Sequence, residues 1–342
     1  MVSNSSCDIE LAVLEVSENC NHVCLHCYNY WRGGLTRTDG RKRLRRTEIR
    51  DLVRKIKRDA PLKQIAISGG EPMLRPDLGG IICDLADEGL SAVVISNGSL
   101  LTKSRLRCFP EGTIFEVTLF SANADLHDRI AGRRSFHRVL EGLVRLRQHK
   151  CKFVLSSVVT RLNAHDTSRT IELGIALGAD AVMLNRINLS RVTLPIAGAL
   201  VPDLSALRRS LDSAEEAASR YEVMVAISVP IPPCVVDPRM YTHLQFGWCP
   251  RGSKNAYYTV GNTGLLRPCN HSSVVLGDLC KQGFGELVHS RASREFWSPL
   301  PKDCIACSHP LKDYCRGGCP AAADECYGTR ERVDPFVEFF RR

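Results

Sequence analysis

The sequence predicts an α/β protein, a parallel sheet wrapped by helices and followed by a small module stapled by cysteines. Three observations carry this. Apolar runs rich in Val, Ile and Leu recur along the first 200 residues: "LAVLEV", "KQIAISG", "SAVVISNG", "TIFEVTLFS", "KFVLSSVVT" and "AVMLNRINL". Between them lie "RTEIRDLVRKIKRD", "RPDLGGIICDLADEGL", "SFHRVLEGLVRLRQHK" and "HDTSRTIELGIALGAD", whose apolar residues stand three and four apart, as on helices. From about Phe246 the rhythm gives way to short strands, many glycines and eight cysteines, seven of them in one pattern, with little else to build a core. Alternation of strand and helix implies βα units and a parallel sheet. Six strands are too few for a closed eight-stranded barrel, so a doubly wound sheet and an incomplete barrel both fit the period.

Length and composition narrow the class. A chain of 342 residues with 44% hydrophobic and 24% charged residues can bury a sizeable core, which excludes a disordered or fibrous chain. The start, "MVSNSSCDIELAV", has no basic segment before an apolar one, and no 18 apolar residues run together. A cytoplasmic protein without a membrane partner is expected. In that compartment sixteen cysteines stay reduced, and metal binding or catalysis explains them better than disulfides do.

The net charge of +9 gathers in "RTDGRKRLRRTEIRDLVRKIKRD", which reads as the solvated face of a helix or as a field steering an acidic partner. No aromatic stacking pattern accompanies it, so nucleic acid is not an expected partner.

Four segments that carry chemistry, "SENC", "SGGEP", "ISNG" and "TLFSAN", all close predicted strands. Active sites of parallel α/β sheets assemble at those ends, so the four loops are expected to share one site. After residue 200 a helix, "DLSALRRSLDSAEEAASRY", and a strand, "EVMVAISV", lead into the break "PIPPCVVDP". The expected organisation is a core over 1–200, a bridging helix and strand over 201–245, and the cysteine-rich module over 246–342.

Cys20, Cys24 and Cys27 occupy "CNHVCLHC" in the first loop. Thiolates suit iron–sulfur clusters, zinc or copper(I). A structural zinc site needs a fourth ligand, for which His22 or His26 is at hand. A four-iron cluster on three thiolates instead leaves one iron open to a substrate or cofactor. This C-x3-C-x2-C spacing, with "SGGEPMLRPD" after the second strand and Ser121, His127, Asp128 and Gly132 after the fourth, resembles the radical S-adenosylmethionine (radical SAM) superfamily. Ala131 stands where Arg is usual there.

The resemblance implies a partial (β/α)6 barrel and a [4Fe-4S] cluster on Cys20, Cys24 and Cys27 that binds SAM. It also implies SAM contacts from Gly69, Gly70, Glu71 and Pro72 of GGEP, with Glu71 at the methionine end, and from Ser96, Asn97 and Ser121. Ser96 and Asn97 read equally well as turn residues.

The C-terminal cysteines are Cys249, Cys269, Cys304, Cys307, Cys315, Cys319 and Cys326. Their pattern is similar to the SPASM module of radical SAM enzymes that mature peptides. Seven residues rather than five separate Cys307 from Cys315, a cheap loop insertion. By that resemblance Cys304, Cys307, Cys315 and Cys326 enclose one auxiliary [4Fe-4S] cluster, and Cys249, Cys269 and Cys319 hold a second with a ligand missing. Cys234 in "PIPPCVVDP" is the nearest spare thiol for that vacancy or a plain linker residue, and an open iron is expected there. Zinc knuckles are the alternative for the C-x2-C pair. The hairpin "AYYTVGNTGLLRPCNHS" delivers Cys269, and its His271 reads as a surface residue. Cys7, Cys83, Cys108, Cys151 and Cys280 fit no motif and read as buried or idle thiols.

Together these readings imply a maturase that cleaves SAM reductively and abstracts hydrogen from a ribosomally made precursor peptide, forming a crosslink or an oxidised side chain. An electron donor of flavodoxin or ferredoxin type is implied. The stretch before Leu11 is too short for a leader-binding domain, so a separate leader-peptide-binding protein is expected where one is needed. Two other readings compete: a dehydrogenase or related enzyme for a sugar or aminocyclitol, and a non-catalytic zinc-binding interaction protein.

Overall fold

In the computed structural model, which describes residues 7–29, 31 and 41–341, the apolar runs become consecutive parallel strands. They are β1 (Leu11–Ser17), β2 (Gln64–Gly69), β3 (Ser91–Ser96), β4 (Ile114–Thr118), β5 (Phe153–Val159) and β6 (Ala181–Arg186). Each pairs with the next, in register from Leu11↔Gln64 through Val159↔Arg186. The sheet continues past the six. "EVMVAISV" forms β7 (Met224–Ile227) beside β6, and β8 (Leu244–Phe246) follows beside β7. The bridging segment is thus part of the same sheet. The strands roll into a partial barrel, with β8 at one open edge.

Helices cover the outer face: α1 (Arg46–Asp59), α2 (Leu78–Asp87), the short α3 (Lys103–Leu106), α4 (Ala124–Ala131), α5 (Phe136–Gln148), α6 (Thr167–Ala176), the short α7 (Ala197–Leu200) and α8 (Leu204–Tyr221). Their periodicity decides which side is buried. Ile49, Leu52, Val53 and Ile56 of α1 form one stripe against the sheet, leaving Arg and Lys outside. Part of that basic face is paired: Arg46 binds Asp84 of α2 through both Nε (2.6 Å) and Nη2 (2.8 Å), and Arg54 reaches Glu88 at 2.5 Å.

The C-terminal module attaches at the other edge. β9 (Thr259–Val260) lies parallel to β1, and β10 (Leu265–Arg267) and β11 (Gly277–Asp278) follow antiparallel. Short helices complete it: α9 (Phe284–Val288), α10 (Arg291–Trp297), α11 (Lys302–Ile305), α12 (Lys312–Cys315), α13 (Pro320–Tyr327) and α14 (Pro335–Glu338).

Two buried ion pairs join module to barrel. Arg267 of β10 meets Glu15 of β1, and Arg186 at the end of β6 meets Asp334, the residue that caps α14. Burial pushes the Glu15 carboxyl up while Arg267 pulls it down. Removing one partner of such a pair costs about 3–5 kcal/mol, because the other charge is stranded away from water.

Candidate active site

The loop after β1 crosses the C-terminal ends of the strands and is held mainly by backbone contacts. On one side Gly70 N donates to Ser17 O (2.7 Å) and Glu71 N to Asn19 O (2.8 Å). Only glycine fits there. A Cβ on Gly69 would lie 2.2 Å from Ser17 O, and one on Gly70 would lie 2.2 Å from Asn19 O. On the other side Val23 N and Leu25 N donate to Ala131 O (3.0 Å) and Ile130 O (2.9 Å) at the end of α4. The left-handed Gly132 (φ 65°) ends that helix, and a Cβ on it would lie 2.6 Å from Val23 O. The GGEP glycines and the Gly of the α4 motif therefore clamp the thiol loop from both sides.

Cys20, Cys24 and Cys27 line a cavity of about 990 Å³ whose wall is made by inward-facing residues of the strands. Cys249, Cys269 and Cys319 line the same cavity. Each of these last three thiols is pushed up by burial, Cys269 to about 12. Among the described residues no three His, Cys, Asp or Glu side chains converge tightly enough to hold a single metal ion. Zinc draws each thiolate to about 2.3 Å from one point, whereas a four-iron cluster binds each at a separate iron and tolerates wider spacing. Two sets of three thiols on one cavity are donors suited to iron–sulfur clusters.

Buried polar atoms also lack partners at this cavity. Both His22 ring nitrogens and Asn188 Oδ1 have no hydrogen bond. Burial, with Arg138 nearby, lowers the His22 pKa to about 4, so the ring is neutral. Such atoms are normally satisfied, and these mark space for a ligand.

The expected SAM contacts divide into two groups. Gly69, Gly70, Ser96 and Asn97 line the cavity. Glu71, Pro72 and Ser121 are not among its lining residues. Glu71 is fully buried, and its carboxylate accepts from Met73 N (2.9 Å), Ser96 Oγ (2.8 Å) and Asn97 N (2.7 Å). It positions the loop after β3 against the turn that Pro72 begins. Burial holds its carboxyl above the usual range, against those hydrogen bonds. Ser121 is likewise sealed: it donates to Asp166 and accepts from Asn123 N (2.9 Å).

His127 and Asp128 are structural as well. His127 Nδ1 accepts from Phe120 N (3.3 Å), and Asp128 accepts from Ser135 N and Phe136 N (both 2.8 Å) at the start of α5.

At the other end of the cavity the β9–β10 hairpin delivers Cys269, as its turn residues predict. Arg267 ties the segment after it, donating to Ser272 O at 2.7 Å. Asn270 Nδ2 donates to Tyr28 Oη (2.9 Å), and His271 stacks edge-on against the Tyr28 ring at 4.2 Å. His271 is thus a cavity residue rather than a surface one, and burial lowers its pKa to about 3. Sequence reasoning also missed Glu116 on β4, which faces the cavity from the barrel wall. Burial raises its carboxyl, opposed by a hydrogen bond from Ser156. The signal was available, since Glu116 sits at the inward phase of an otherwise apolar strand.

The profile of the radical SAM superfamily matches residues 14–174, from β1 into α6, which include the thiol loop and GGEP. Those residues, just under half of the 342, are similar to the radical SAM superfamily. The chain is 24% identical to a PqqA peptide cyclase of Rhodopseudomonas palustris, across 96% of its own length and 86% of the relative's. It is 31% identical to an AdoMet-dependent heme synthase of Methanosarcina barkeri, over 50% of its own length and 48% of that protein's.

Its fold is similar to the crystal structure of Streptococcus suis SuiB bound to precursor peptide SuiA, with a TM-score of 0.74 at 16% identity, covering 96% of this chain and 75% of that one. The likenesses to the cyclase and to SuiB both run through the C-terminal module as well as the barrel. The match over residues 14–174 implies SAM and a [4Fe-4S] cluster as cofactors. No helix among the described residues is long and apolar enough to cross a membrane.

Proposed function

We propose that this protein is a maturase that abstracts hydrogen from a ribosomally made precursor peptide. The observation that carries the reading is the shared cavity, about 990 Å³, lined by three thiols of the β1 loop and three of the C-terminal module. It exceeds what a cofactor alone requires and lies within the size of substrate pockets, about 300–1,000 Å³. The named activity of the PqqA peptide cyclases and the peptide bound to SuiB support a peptide as the occupant.

In this reading Cys20, Cys24 and Cys27 hold the SAM-binding cluster. That cluster, once reduced, supplies the electron that cleaves SAM to methionine and a 5′-deoxyadenosyl radical. The protein's own residues do the rest. Gly69 and Gly70 let the β2 turn lie against the thiol loop, Ser96 and Asn97 border the SAM end, and the apolar barrel wall excludes water from a reactive centre. Cys249, Cys269 and Cys319 hold an auxiliary cluster facing the substrate end, and residues from 246 onward form the SPASM module around it. A one-electron donor of flavodoxin or ferredoxin type and a separate leader-peptide-binding protein complete the proposal.

The test pairs the anaerobically reconstituted enzyme with peptides encoded beside its gene, one of them deuterated. A loss of two mass units per modification, with deuterium in the 5′-deoxyadenosine, is expected. SAM cleavage without any peptide change, but with deuterium transfer from a sugar or aminocyclitol, would replace the peptide by a metabolite.

A further inference from the structure

Cys234 does not approach the three thiols at the cavity. It lines a separate pocket with Cys304, Cys307 and Cys315. We propose that these four thiols together enclose the distal auxiliary cluster, with Cys234 taking the place that the SPASM resemblance gives to Cys326. The inference rests on the auxiliary-cluster reading above and specifies its ligands.

The local chain makes Cys234 a directed side chain. Ile231, Pro232, Pro233, Val235 and Val236 are all buried, and Cys234 alone in that stretch is exposed. The turn is closed by Val235 N donating to Pro232 O at 2.8 Å. The prolines restrict φ on one side, and the buried valines anchor the other, so the thiol is thrust into the pocket. A linker cysteine would need no such anchoring.

The pocket's charge suits the assignment. Four thiolates around a cluster carry net negative charge, which cations stabilise. Lys312 and Arg341 border the Cys234 pocket, with Asp303 already paired to Arg341 at 2.9 Å. His309 and Lys312 come from the lengthened stretch between Cys307 and Cys315, so the two extra residues help build the pocket. Cys326, on α13, is not among the residues that line it. With Cys234 committed to the distal pocket, the set Cys249, Cys269 and Cys319 keeps three thiols, and its open iron faces the cavity.

The experiment begins from the full chain carrying Cys20→Ala, Cys24→Ala and Cys27→Ala, reconstituted anaerobically, so that only auxiliary iron is read. This background is expected to hold about eight irons, two four-iron clusters. Adding Cys234→Ala should lower iron and sulfide by half and remove one electron paramagnetic resonance signal, while adding Cys326→Ala should leave both. Retention of both signals with Cys234→Ala, or loss of one with Cys326→Ala, overturns the assignment. If Cys234→Ala does not fold, Cys234→Ser decides: shifted g-values for one cluster support ligation, and an unchanged spectrum overturns it. A background with no iron at all rejects the auxiliary-cluster reading itself, and the assignment with it.

Discussion

The thiols at the barrel mouth and those of the distal pocket differ in number and in what they face. Cys20, Cys24 and Cys27 open on a cavity of about 990 Å³, whereas Cys234, Cys304, Cys307 and Cys315 line a small pocket separate from it. Three thiols leave an iron for chemistry, and four leave none. The cavity set at the module end, Cys249, Cys269 and Cys319, resembles the mouth in number. The lesson is that a thiol count gains meaning only with the space it faces.

Breaking the mouth should have the largest effect. Cys20→Ala, Cys24→Ala and Cys27→Ala together are expected to abolish 5′-deoxyadenosine formation, measured by chromatography, while auxiliary iron stays. Retained SAM cleavage would show that the other sets do the chemistry.

Next comes the weld between the two regions. Asp334 accepts from Arg186, from Cys319 N (2.8 Å) and from Phe336 N (3.0 Å), so it fixes a module thiol to the end of β6. Asp334→Ala should destabilise the protein by about 3–5 kcal/mol in denaturant unfolding, as a stranded buried Arg186 demands. A change below about 1 kcal/mol, the scale of a surface pair, would mean that the module docks by other means.

Much of this was legible in the chain, for physical reasons that differ by element. β1 to β6 and α1 announce themselves because period and burial coincide, and the C-x3-C-x2-C loop because its ligands are local. Cys234 was legible as a spare thiol, but not as a neighbour of Cys304, Cys307 and Cys315. Its partners lie about 70 to 80 residues on, and only folding shows that β7 and β8 carry "PIPPCVVDP" to them. What Glu71 holds was not legible for another reason: a motif marks a place, and only the fold shows that its carboxylate accepts from Met73, Ser96 and Asn97. His271 looked superficial because its neighbour Tyr28 belongs to the distant thiol loop.

Glu71→Gln sharpens that point. The amide must set an N–H against a backbone N–H or the Ser96 hydroxyl, a cost of about 1–3 kcal/mol for a buried unsatisfied group. Thermal unfolding should shift down, with weaker SAM binding following from the loosened loop. If SAM affinity falls while the unfolding midpoint stays, the carboxylate touches SAM directly.

The smallest expected effect joins the two ends of the cavity. Tyr28→Phe keeps the ring against His271 and removes the acceptor of Asn270. About 0.5–1.5 kcal/mol of stability should go, with SAM cleavage retained. A complete loss of cleavage would move Tyr28 from support into the chemistry.

The central claim is that the open iron for SAM belongs to the mouth. Electron–nuclear double resonance on the reduced protein, with SAM labelled by 15N at the amino group and 17O at the carboxylate, reads it most directly. The account predicts hyperfine coupling from both labels in the native chain and none once Cys20, Cys24 and Cys27 are replaced by Ala. Coupling that survives those replacements would place SAM on another cluster and contradict the account.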